Sequence, residues 1–379
     1  MNTPRLTLPI GIQTFKKIRS GGFYYVDKTP LAWSLAQKAG YYFLSRPRRF
    51  GKSLFIDTLK ELFEGNEALF QGLFIHDQWD WTVRHPVIQI SFGGGNVRNA
   101  QGLAQMIHKQ LGRHEQRFNL PARYPDARSR LSDLIERVHE ASGQPVVILV
   151  DEYDKPILDN LDNASVAQTM REDLKDLYSV IKDADAHLRF AFLTGVSKFS
   201  KVSLFSGLNN LNDITLDPNY STLCGYTDHD LDSVFAAEVA GLDRDEIRRW
   251  YNGYNWLGQP VYNPFDLLFL FGRREFGAWW FETGTPSFLI KLLGERQAWL
   301  PALGQMKADA ELLSAFDVDN ISTVALMFQS GYLTITAVER VQGSAYYQLG
   351  FPNHEVRMSF DTLVRVCHAK NHLGSAAAN

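Results

Sequence analysis

The sequence predicts an α/β fold: three layers around a mainly parallel central sheet, followed by a smaller, mostly helical C-terminal domain of winged-helix-like type. Three observations predict it. Residues 41–44 and 145–150 are short, continuous apolar runs, and 188–193 is apolar apart from Arg189, the pattern of strands buried on both faces. Between them lie helical patterns long enough for parallel crossovers. Beyond about residue 200 the pattern changes to Asn- and Ser-rich loops, aromatic turns and helix starts.

Taken in order, Gly21-Gly22 marks a turn, residues 23–26 read as a short strand, and Thr29-Pro30 opens a helix to about residue 38. This opening segment is expected to close the sheet; the rival reading has Asp27 or Lys28 touching a ligand. The run at 41–44 is a strand, and the periodic segment from Gly51 to Phe63 is a helix. A second strand spans 86–92 and ends in Gly93-Gly94-Gly95, whose spacing is not that of a dinucleotide fingerprint and which reads as a flexible turn. Helices are predicted over 100–113 and 127–141, a strand over 145–150, a long crossover helix over 163–185 and a strand over 188–194. Further on, a helix start is expected at 226–231, and helices at 243–251, 264–271 and 286–293. Strands are expected at 325–334 and 345–349, and a frayed tail at 375–379. The aromatic turn from Trp250 to Trp256 reads as core packing.

Bulk properties bound the function. The chain has 379 residues, enough for two domains, and a net charge of −3, which offers no global attraction to nucleic acid or an anionic membrane. Its cysteines are Cys224 and Cys367, too few for a disulfide framework. No signal-peptide pattern and no 18-residue apolar run is present, so a cytoplasmic location without a membrane partner is expected.

Chemistry concentrates at three strand ends. Strand, basic loop, Gly51-Lys52-Ser53 and helix form the layout of a phosphate-binding loop, although Arg46 stands where that pattern has its first glycine. Arg48, Arg49, Phe50, Gly51, Lys52 and Ser53 are the nucleotide-binding candidates, with Lys52 on the β and γ oxygens. Asp151-Glu152 ends the strand at 145–150, at the sheet edge where open α/β folds bind ligands. Ser53 and Asp151 are the candidate Mg²⁺ ligands, and Glu152 the general base for water. Asp154 is a supporting group. Thr194 is the polar residue expected to sense the γ-phosphate. The three features in this order make the fold a P-loop NTPase three-layer sandwich.

The chain also resembles the bacterial AAA-ATPase-like family, whose members usually continue into a PD-(D/E)xK nuclease-like domain. The resemblance rests on Tyr24 to Thr29, Tyr42 to Ser53, Val150 to Ile157, Thr194 to Lys201, Gly207 to Asp213, Tyr251 to Tyr254, Tyr262 to Asp266 and Trp280 to Leu289. It implies that Arg46 is the family's own form of the loop, and that Phe351 to Arg357 leads towards a nuclease-like part. No Asp…Glu-x-Lys arrangement follows residue 357, so the chain reads as truncated or as having lost its nuclease, and no DNA cleavage is predicted. The expected domains are a P-loop ATPase domain at 1–222, a helical, winged-helix-like domain at 223–345 and a C-terminal stub at 346–379.

The function expected is ATP binding with Mg²⁺-dependent hydrolysis that drives or gates a conformational change. The first alternative is an ATP-dependent switch without intrinsic turnover. The second is a nucleic-acid-binding regulatory module, with Arg46, Arg48 and Arg49 gripping phosphates. A nuclease-like domain or partner protein and a homo-oligomer are the other candidate partners. Arg48, Arg49, Arg248 and Arg273 are the candidates for an arginine finger.

Overall fold

The computed structural model describes residues 5–38, 40–198, 204–205, 208, 210–284, 306–309, 312–313, 322–362 and 365. The helix expected at 286–293 and the tail at 375–379 lie outside them.

Five strands form one sheet: β1 (Gly40–Ser45), β2 (Val87–Ser91), β3 (Val146–Asp151), β4 (Leu188–Gly195) and β5 (Leu211–Asp213). Their order is β2-β3-β4-β1-β5 and every neighbouring pair is parallel. β3 is buried along its whole length, as its unbroken apolar run requires. Register aligns Ser45 with Gly195, and Asp151 with both Ser91 and Thr194, so the chemistry-bearing residues end level on the carboxyl edge.

The helices before β5 are α1 (Phe15–Ser20), α2 (Thr29–Ala36), α3 (Lys52–Phe63), α4 (Ala100–Phe118), α5 (Ala127–Ser142), α6 (Lys155–Leu158) and α7 (Ala164–Asp183). α3 packs on β2, β3 and β4, and α4, α5 and α7 pack on one another. The result is the predicted α/β sandwich. Asn99, Asp126 and Asn163 cap α4, α5 and α7 by accepting from backbone N–H groups in the first turn.

Helices α8 (Asp228–Ser233), α9 (Ala236–Val239), α10 (Arg244–Tyr251), α11 (Pro264–Arg273), α12 (Trp279–Gly284) and α13 (Thr323–Ser330) follow. A three-stranded antiparallel sheet joins β6 (Met306–Asp309), β7 (Thr334–Val341) and β8 (Ser344–Gly350) in the order β6-β8-β7. One connected apolar core runs from Phe15 through the sheet to Tyr347 and Phe360. A second cluster gathers Tyr24 and Val26 with Leu231, Phe235, Ile247 and Tyr262.

Three expectations change. Residues 23–26 are not a strand: Phe23 makes one isolated bridge to Thr7, and Tyr24 and Val26 are buried in the second cluster. Residues 323–330 are a helix, capped by Ser322 and ended by Gly331 at φ 93°, where a strand is read from the sequence. α4 runs to Phe118, five residues past the expected end. No helix among the described residues is long and apolar enough to cross a membrane.

Candidate functional site

The loop between β1 and α3 is bent by two left-handed residues, Arg49 at φ 69° and Gly51 at φ 93°. Gly51 tolerates that conformation without steric cost. Among the described residues no side chain caps α3, whose N-cap is Gly51, so its first amides remain available as anion donors. Lys52, the first residue of α3, is buried. Its Nζ donates to the Arg46 and Pro47 carbonyls, both at 2.9 Å, and so folds back across its own loop. Burial lowers the pKa of this ammonium, opposed by the carboxylates of Glu152 and Asp151.

Arg46 points the other way, which corrects its reading as a phosphate-gripping charge. It is fully buried, and one guanidinium nitrogen donates to the Ser45 and Thr215 carbonyls at 2.8 and 2.9 Å. The other reaches the Tyr220 carbonyl at 3.3 Å, and the guanidinium stacks 4.1 Å over the Trp256 ring. Burial pushes its pKa down to about 10. Phe50 is buried too, edge-on to Tyr254 and Trp256, so only its backbone is left for a ligand. The aromatic turn is packing beneath the loop.

Behind α3's first turn stands Asp151. The Ser53 hydroxyl lies beside its carboxylate, whose Oδ1 is buried with no hydrogen-bond partner among the described residues. Burial raises its pKa, with the Ser53 bond opposing. A hydroxyl beside a carboxylate with a free oxygen suits a hard divalent cation such as Mg²⁺. The next residue, Glu152, adopts φ 53°, a conformation that non-glycine residues hold only when their surroundings impose it. This kink ends β3 and brings the carboxylate beside Gly93, where an added Cβ would stand 3.3 Å from Oε2. The triple-glycine turn therefore leaves room for Glu152.

Asp154 and Thr194 hold the strand ends together. Buried Asp154 accepts from the Val196 and Ser197 amides at 3.0 and 2.6 Å, and from the Ser197 hydroxyl at 2.5 Å. Thr194 is fully buried and donates to the Leu44 carbonyl at 2.8 Å. It does not line the cavity, so its hydroxyl ties β4 to β1 where a γ-phosphate sensor is expected. Asp27 likewise serves the fold, accepting from the Thr29 and Phe74 amides.

The loop opens into a cavity of about 680 Å³, within the range of small-molecule sites. Arg48, Lys52, Ser53 and Glu152 line it together with Arg98 and Lys155. Arg98 escapes the sequence reading. Its backbone is fixed on both sides: Lys155 donates to the Gly95 carbonyl at 2.7 Å, Asn160 to the Val97 carbonyl at 2.6 Å, and Asn99 caps α4. Its side chain forms no hydrogen bond or ion pair among the described residues. The available signal was position, because Arg98 follows a strand that ends on the same sheet edge. The arginine-finger candidates separate in the same way. Arg248 pairs with Asp228 and Asp245, Arg273 lies over Phe269 and Trp279, and Arg49 lies 4.9 Å over Phe265. Arg48 and Arg98 face the cavity without such a partner.

A family model described as predicted AAA-ATPase matches residues 9–205, which contain β1 to β4 together with Arg48, Lys52, Ser53, Arg98, Asp151 and Glu152. An uncharacterized protein from the vnfD 5′ region of Azotobacter chroococcum mcd 1 is 61% identical over 358 residues, covering 94% of this chain and 69% of that protein.

Proposed function

This chain belongs to the predicted AAA-ATPase family, and from that premise we propose that it binds MgATP and hydrolyses it. The observation that carries the reading is a single juxtaposition. An uncapped helix N-terminus, a lysine resting on its own loop, and the Ser53–Asp151 pair with a free carboxylate oxygen meet at one end of a parallel sheet.

Lys52 exchanges its two carbonyl acceptors for the β and γ oxygens, whose charge favours the ammonium that burial disfavours. The backbone amides of residues 49–53 surround the phosphates. Ser53 and Asp151 would hold Mg²⁺, which supplies charge neutralisation on the phosphate oxygens. Glu152 accepts a proton from the water that attacks the γ-phosphorus. The bond from that phosphorus to the bridging oxygen breaks, giving ADP and inorganic phosphate. Arg48 and Arg98, on the cavity wall with no side-chain hydrogen bond or ion pair among the described residues, balance charge on the transferred group.

A second reading, an ATP-dependent switch with negligible intrinsic turnover, is favoured by Thr194, whose hydroxyl is committed to the Leu44 carbonyl and does not line the cavity. Calorimetric ATP titration and phosphate release separate the two. Glu152→Gln is expected to retain binding and lose turnover by about a hundredfold or more, and Lys52→Ala to lose binding. Wild-type protein that binds ATP without Glu152-dependent turnover would establish the switch; absence of Lys52-dependent binding would refute both.

A further inference from the structure

Residues far beyond the family match reach the phosphate loop. The indole N–H of Trp280, on α12, donates to the Arg48 carbonyl at 3.1 Å. Trp280 is fully buried and is itself held from two sides. Its backbone N–H is shared by Asp266 on α11, at 2.8 Å, and Glu355 in the helix at 354–362, at 2.9 Å. Its ring packs 5.3 Å from Tyr332. Gly331 abuts the same place: a Cβ there would lie 2.8 Å from Pro47 and 3.4 Å from the Trp280 ring.

The consequence for the loop follows from peptide geometry. A trans peptide sets the carbonyl of one residue and the amide N–H of the next in opposite directions, and the described residues contain no cis peptide. With the Arg48 carbonyl turned to Trp280, in the core, the Arg49 N–H is turned away from it, towards the side where Arg48, Arg49 and Gly51 line the cavity. Arg49 and Gly51, which follow, are left-handed, the backbone conformation from which anion-binding concavities of successive amides are built.

We propose that Trp280 is a positioning residue for triphosphate binding, which orients the Arg49 amide by holding the Arg48 carbonyl. The proposal rests on the nucleotide reading above and adds a determinant from outside the nucleotide-binding core. It predicts a loss confined to ligands that carry phosphates.

The test is Trp280→Phe in the full chain, which keeps an aromatic ring and removes the donor. ATP, ADP and adenosine are titrated calorimetrically well below the unfolding midpoint of each protein. ATP and ADP are expected to bind about fivefold to tenfold more weakly, the weight of one net hydrogen bond, with adenosine unchanged. ATP and ADP affinities unchanged from wild type in the folded variant overturn the proposal. So does an equal loss for adenosine, which would mark Trp280 as ordinary packing. Should Trp280→Phe fail to fold, β-(3-benzothienyl)alanine at position 280 preserves the shape without the N–H, and the same outcomes decide. Wild-type protein with no Lys52-dependent ATP binding overturns the nucleotide reading and this proposal together, whereas wild-type binding with an unaffected variant overturns this proposal alone.

Discussion

The back of the phosphate loop and its mouth contain the same kinds of groups in opposite states. At the back, Arg46 has most of its donors on carbonyls and its plane on Trp256, and the Trp280 indole fixes Arg48. At the mouth, Lys52 rests on carbonyls of its own loop, and among the described residues the Arg48 and Arg98 side chains have no hydrogen-bond or ion-pair partner and Asp151 keeps a free oxygen. A cation whose partners belong to distant segments is structural, because moving it breaks the fold. A cation whose partners belong to its own loop can leave them for a ligand. Two buried positive charges six residues apart can therefore have unrelated roles, and their partners reveal which is which.

The largest effect expected from that contrast is on stability. Arg46→Met leaves the Thr215 carbonyl without its Arg46 donor, takes one of two donors from the Tyr220 carbonyl and removes the stacking partner of Trp256, a cost of about 3 kcal/mol or more. Lys52→Met loses two bonds but also the penalty of a buried ammonium, so stability should change by no more than about 1 kcal/mol. Nucleotide affinity should move the other way, falling at least about tenfold for Lys52→Met. Urea midpoints of the two variants, with ATP titrations on the folded protein, measure both. A stable Arg46→Met protein with impaired ATP binding would invert the comparison and return Arg46 to the mouth.

A smaller effect is expected at Gly93, where the mouth depends on an empty space. Gly93→Ala places a methyl 3.3 Å from Glu152 Oε2, so the carboxylate must shift by tenths of an ångström. If Glu152 acts as the proposed general base, misplacing it in this way should lower the turnover number by about tenfold while ATP affinity stays within about twofold. A parallel fall in affinity and turnover would show that Gly93 shapes the nucleotide pocket as a whole.

Most of the mouth was legible because its groups follow apolar runs at strand ends. Lys52, Ser53, Asp151 and Glu152 each stand where a parallel sheet exposes its carboxyl edge. The back was not. Arg46 lies beside Arg48 and Arg49 in sequence and reads as one charge cluster with them, but Thr215 and Tyr220 are about 170 residues away. Thr194 occupies the expected strand end, yet register with Leu44 turns its hydroxyl into the sheet. α13 was misread because Val324 to Ser330 are all buried. Such a helix has no polar face, and its periodicity cannot be told from that of a buried strand. β5 and β6, of three and four residues, are too short to show alternation.

The smallest effect belongs to the carboxyl pair behind Trp280. Burial raises both pKa values: Asp266 well above the ordinary carboxyl range, with the Glu355 charge adding to the rise, and Glu355 from 4.5 to about 7. Two carboxyls that accept one N–H stand too close for both to ionise readily. A raised carboxyl pKa means that the folded state holds protons which the unfolded chain releases. Stability from this pair is thus full below about pH 4.5 and declines as pH rises through about 7. Asp266→Asn keeps an acceptor for Trp280 while removing one acid, so the decline between pH 5 and pH 7 should flatten by no more than about 2 kcal/mol. Urea midpoints across that window, for wild type and variant, measure the difference. Lys52→Met leaves the carboxyl pair behind Trp280 untouched, so the part of the decline that this pair supplies should persist in that variant. An equal flattening in both variants would mean that the pH response arises at the mouth, and the division between a structural back and an adaptable mouth would fail there.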